Sequence, residues 1–176
     1  MYDRDQVIEK INKYYDLGES ASESWYSEAH SFCVSLSEKY NQPVFIVAGI
    51  VAALSVRTRW EVNKEMTIAF LQDKVVRHLP RQINIVKSIL LCKDSEDVYI
   101  LLGNKTKSFY INILHPEFND HVTLDSHMIK GLLNKQGICN KRYMWLSTII
   151  RYEATKRKLK GHELQARVWE AIRKKK

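Results

Sequence analysis

An all-α fold is predicted by three features of this sequence. Apolar residues recur at a spacing near 3.6 over long stretches, with few of the alternating runs that mark strands. Only six glycines and three prolines interrupt 176 residues. The longest apolar run, Val44 to Val56, is 13 residues long and contains Ser55, too short for a membrane span and suited to a buried helix.

The elements follow in order. Val7, Ile8, Ile11 and Tyr14 line one face of a helix from Asp3 to Asp16, closed by Gly18. The Ser20–Ser24 stretch offers several N-caps for a second helix to about Tyr40. Pro43 opens the apolar third helix, through about Ser55, and a bundle would bury such a helix at its centre. The turn Arg57-Thr58-Arg59 leads to a helix from Trp60 to about Gln72. Pro80 opens another to about Cys92, and Ser95 starts a short one to about Leu102. Gly103-Asn104 breaks it, and Lys105 to Leu114 resumes as helix. Pro116 to Leu124 reads as a loop, then Asp125 as the N-cap of a helix ending near Asn134. The last helices run from about Asn140 to Lys158 and, after a break at Gly161, to about Arg173.

Length fits one domain over residues 1–176, large enough to bury a core without disulfides. Hydrophobic residues make up 45% and charged residues 27%, which excludes a disordered chain. The N-terminus carries no basic-then-apolar leader. Cys33, Cys92 and Cys139 are odd in number and far apart, so no metal or disulfide spacing exists and a reducing compartment fits. The expectation is an intracellular protein, cytoplasmic or nucleoid-associated, monomeric, with no membrane association, metal or cofactor.

The net charge of +8 favours a polyanionic partner. Ten of the basic residues lie from Arg151 to Lys176, against three glutamates, and give a basic C-terminal tail. The break at Gly103 separates two short helices, the outline of a helix-hairpin-helix near residues 95–115. Such a hairpin aims backbone N–H groups at a phosphate from the start of its second helix. An ordinary helix connection, with Gly103 ending the first helix, is the bland alternative.

Three local matches carry a resemblance. Leu102-Gly103-Asn104-Lys105-Thr106 resembles the hairpin L-P-G-V-G-x-K-T-A of the helix-hairpin-helix DNA glycosylase superfamily, endonuclease III type. Gly103 falls on the second glycine, Lys105 on the lysine and Thr106 on the threonine. Val122-Thr123-Leu124-Asp125-Ser126-His127 resembles that family's V-D-T-H segment, with a Lys-to-Asp gap of 20 residues. Ala53-Leu54-Ser55-Val56-Arg57-Thr58, followed by Val62-Asn63-Lys64, resembles its L-S-x-Q-x-T and V-N-K stretch. The matches stand in the family's order between Pro43 and Lys135. Trp25-Tyr26-Ser27-Glu28-Ala29-His30 is also similar to a W-Y-x-x-A-H stretch of small phage-encoded proteins. Ile100 and Leu101 stand where the hairpin pattern has proline and its first glycine, Arg57 stands where the L-S-x-Q-x-T stretch has glutamine, and the C-terminal cysteine cluster is absent.

The resemblance implies a glycosylase-like helical bundle that binds duplex DNA, flips a damaged or modified base and cleaves its N-glycosidic bond. Positive charge builds on the sugar as a base leaves, and a carboxylate stabilises it. The resemblance gives that role to Asp125. It makes Lys105 the amine that attacks the anomeric carbon, adding AP-lyase strand nicking. Gly103, Asn104, Thr106 and Lys107 would hold phosphates, with Arg57 and Arg59 at the turn entering DNA. Tyr26, His30 and His127 are pocket candidates.

Against these stand plainer roles: Asp125 as a helix cap, Lys105 as a solvated lysine, and Trp60, Phe109, Tyr110, Trp145 and Trp169 as core. Asn63 and Asn112 read as helix residues bonded to a neighbouring loop. The alternative function is a non-catalytic helix-hairpin-helix DNA-binding protein. Two further rivals are an enzyme exchanging or removing modified phage-type bases, and a partner-binding helical protein whose charge is incidental.

Overall fold

A computed structural model describes residues 3–118 and 121–174. Among the described residues there are ten α-helices, one short 3-10 helix and no strand. The helices are α1 (Arg4–Leu17), α2 (Trp25–Tyr40), α3 (Val44–Leu54), α4 (Trp60–Leu71), α5 (Pro80–Ile89) and α6 (Ser95–Leu101). Then come α7 (Asn104–Leu114), α8 (Ser126–Leu133), α9 (Asn140–Lys156) and α10 (Gly161–Lys174). The 3-10 helix spans Ser20–Ser24, a stretch expected to supply caps rather than helix. No helix is long and apolar enough to cross a membrane among the described residues.

Backbone contacts group the chain into two compact units. One takes Ala29–His115; the other joins Met1–Glu28 to Pro116–Lys176.

The Ala29–His115 unit is organised on α3, whose residues from Ile46 to Leu54 are all buried. Helices α4, α5, α6 and α7 each pack on it. Gly49 is there for close approach: a Cβ would lie 2.7 Å from Val98 Cγ1 and 3.1 Å from Ile89 Cγ2. The carbonyls at the end of α3, which the helix itself leaves open, find side chains. Asn63 Nδ2 donates to Val51 O at 3.0 Å and Ser55 Oγ donates to Ala52 O at 2.8 Å. Asn63 was expected to bond a loop; it is buried and bonds the α3 backbone.

In the other unit, α1, α8, α9 and α10 surround a core of Ile11, Leu124, Met128, Leu132, Leu146, Ile150 and Leu164. Gly18 ends α1 without left-handed geometry. Its reason is space, since a Cβ there would meet Arg167 O at 2.4 Å. Arg167 donates to Tyr15 O and to Glu23 Oε1, both at 2.9 Å, fastening α1 and the 3-10 helix to α10. The break expected at Gly161 lies earlier, because Lys158 adopts φ 57° and Glu163 Oε2 accepts the Lys160 backbone N–H at 2.7 Å. Gly161 is thus the first residue of α10. The described part of the basic C-terminus is not a free tail: Lys174 is paired with Glu19 and Glu170. Lys175 and Lys176 lie outside the described residues.

Candidate functional site

The hairpin lies wholly in the Ala29–His115 unit. Ile100 and Leu101 carry helical structure on to Leu101, so the connection to α7 is only Leu102 and Gly103. Val98 and Leu102 are buried and anchor the hairpin, while Ile100 is exposed. Gly103 does not close α6 as a left-handed residue. It is the N-cap of α7, at φ −87° and ψ 167°. Thr106 completes the turn: its hydroxyl accepts the Gly103 N–H at 3.0 Å and donates to Gly103 O at 2.9 Å. Thr106 is buried, so its hydroxyl builds the hairpin and does not face a partner. Gly103 and Asn104 are exposed at the helix start. The space beside Gly103 is open, since a Cβ would meet only Thr106 Oγ1, at 3.9 Å. Lys107 is half-buried, its amine 4.6 Å from the centre of the Tyr99 ring.

Lys105 is not a solvated lysine. It is half-buried, and its Nζ donates to Ser55 Oγ at 2.9 Å. The same Nζ stands 5.1 Å from the centre of the Phe109 ring. A cation in the first turn of α7 is opposed by that helix's dipole, but Ser55 is the C-cap of α3, where the dipole attracts one. The bond joins two segments 50 residues apart, each singled out in the sequence by a separate local match. Beyond Ser55, Arg57 is exposed and adopts φ 58°. A left-handed residue other than glycine costs about 1–2 kcal/mol. Arg59, exposed, is the N-cap of α4. His30 is half-buried, its Nδ1 2.9 Å from Ile113 O.

Asp125 belongs to the other unit. Tyr143 sets its backbone: the phenol accepts the Leu124 N–H at 3.1 Å and donates to Val122 O at 2.9 Å. The carboxylate caps α8 as expected, Oδ1 accepting the Met128 N–H at 2.9 Å. Oδ2 accepts the Trp169 indole N–H at 2.8 Å. Trp169, expected in the core, is half-buried and presents its ring 5.2 Å from the Arg173 guanidinium. Arg173 in turn lies 3.2 Å from His127 Nε2.

Tyr26 does not line an open pocket. It is buried, its hydroxyl donating to Gln165 Oε1 at 2.8 Å and its ring edge-on to His162. His162 is buried beside the Pro116 and Phe118 backbone. Burial drives its pKa down to about 4; the Glu163 carboxylate pulls upward and the Lys160 cation pushes further down. Among the described residues no cluster of His, Cys, Asp or Glu is arranged to hold a metal ion.

Two residues that touch the candidates were not singled out from sequence. Ser55 lay inside a quoted match but carried no role, and Trp169 was read as a core residue, with no local signal pairing it with Asp125. Compared with known proteins, residues 3–176 match the model of a family of unknown function, DUF7178. No curated protein and no solved structure matches the chain.

Proposed function

The chain belongs to DUF7178, a family of unknown function, and we propose that it is a helix-hairpin-helix DNA glycosylase with lyase activity. In this reading it binds duplex DNA through the start of α7 and acts on the sugar of an extruded nucleotide. The contact of Lys105 with Ser55 is the observation that carries it. Two matches found separately in sequence meet at the one amine the chemistry requires.

The C1′–N bond breaks with its electron pair leaving on the base. The amine lone pair forms a bond to C1′, and the nitrogen gives up a proton to the departing base. The nitrogen lone pair then forms the C1′=N bond of the Schiff base as C1′–O4′ breaks, and the remaining N–H proton passes to O4′. Loss of a C2′ proton then expels the 3′ phosphate and nicks the strand. The motif resemblance, by itself, assigns to Asp125 the carboxylate that stabilises positive charge on the sugar. The basic residues add salt-sensitive phosphate attraction.

A second reading, DNA binding without catalysis, is favoured by the engagement of the reactive groups. Both Asp125 oxygens and the Lys105 amine have partners within their own units. Borohydride reduction in the presence of abasic-site duplex separates the two. A covalent adduct, lost in Lys105→Gln, supports the enzyme. Binding without an adduct supports the second reading, and no binding overturns both.

A further inference from the structure

We propose that Ser55 is a positioning residue that holds the Lys105 amine in one place. The inference rests on the reading of Lys105 as nucleophile and names what aims it. A lysine side chain carries about 2 kcal/mol of rotamer entropy, and one free to rotate spends little time in an attacking geometry. Lys105 is held at its tip by Ser55 Oγ at 2.9 Å and flanked by the Phe109 ring.

The hydroxyl itself has only one proton, and it is committed to Ala52 O at 2.8 Å. Toward Lys105 it therefore acts as an acceptor, binding one N–H and leaving the rest of the amine unconstrained by that bond. The Ala52 carbonyl takes no proton onward, so Ser55 is not a base. Its own position is fixed because it ends α3, whose preceding residues are buried and whose Val51 carbonyl is tied to Asn63. The buried helix thus serves as the mount for the amine, and α7 supplies it from a neighbouring packed element.

The test has a readout without DNA. In wild type, Ser55→Ala and Ser55→Thr, Lys105 is reductively methylated with formaldehyde and cyanoborohydride, and the modified peptides are quantified by mass spectrometry. Loss of the acceptor in Ser55→Ala should speed labelling of Lys105 about tenfold, with Lys107 and Lys130 unchanged. Ser55→Thr, which keeps a hydroxyl, should restore the wild-type rate. Equal Lys105 labelling in all three proteins overturns the proposal.

On abasic-site duplex, the single-turnover rate of borohydride trapping should fall about tenfold in Ser55→Ala, at unchanged half-saturating DNA, and return in Ser55→Thr. If wild type forms no adduct, the nucleophile reading fails while the labelling comparison still decides the role of Ser55. If Ser55→Ala does not fold, Ser55→Cys provides the same comparison with a weak acceptor, and unchanged labelling there overturns the proposal equally.

Discussion

Asp125 and Trp169 are joined by a 2.8 Å hydrogen bond from the indole N–H to Oδ2, while Oδ1 caps α8. The carboxylate thus serves two donors with two oxygens. An amide has only one acceptor oxygen. Asp125→Asn can keep the cap or the indole bond but not both, and a lost bond of this kind costs about 1–2 kcal/mol. The expected result is a folded variant with that loss in denaturant unfolding. Under the proposed chemistry, base release should fall by about 100-fold or more, and trapping on a pre-formed abasic site much less. Unchanged base release would return Asp125 to a purely structural role.

Gly103 separates a structural from a binding role for the hairpin. Its φ of −87° suits any residue, and an added methyl meets no close atom of the protein. Gly103→Ala should therefore lower stability by no more than about 1 kcal/mol, the cost of a poorer N-cap. Where a phosphate approaches the start of α7, the same methyl should weaken duplex binding severalfold. Fluorescence anisotropy beside a thermal melt reads both. Equal affinity in the two proteins would mean that no phosphate comes close to this turn.

At Arg57, stability and binding should part. The residue holds φ 58°, a conformation glycine adopts without steric cost. Arg57→Gly should leave stability within about 1 kcal/mol of wild type, while duplex affinity drops and its dependence on salt becomes shallower. A steep salt dependence retained in full by the variant would place Arg57 away from the DNA.

His162 predicts an acid-sensitive core. Its pKa is lowered from 6.5 to about 4 in the folded chain, so the fold favours the neutral ring. Above pH 6.5 both states are neutral and nothing is lost. As pH falls from 6.5 toward 4, the unfolded chain takes up a proton that the folded chain refuses. Stability then declines by up to about 1.4 kcal/mol per pH unit. His78 is shifted down in the same direction by burial and contributes to the same limb. Denaturation from pH 7.5 to 5 should show a smaller loss for His162→Leu than for wild type. Parallel pH profiles would assign the acid limb elsewhere.

The sequence by itself determined the run of helices and several of their ends. Apolar spacing, Pro43, Pro80 and the Asp125 cap act within about one helical turn, so neighbouring residues suffice to specify them. The unbroken apolar composition of α3 likewise determined that it would be buried. Tertiary structure alone decided which side chains meet. Ser55 reaches Lys105 across 50 residues and Trp169 reaches Asp125 across 44, contacts made by helix packing that no local spacing encodes. It also decided that Tyr26 sits in a core, that Asn63 ties down α3, and that Gly18 makes room for the Arg167 carbonyl. Each depends on an atom supplied from another element, whose position is set only when the helices pack.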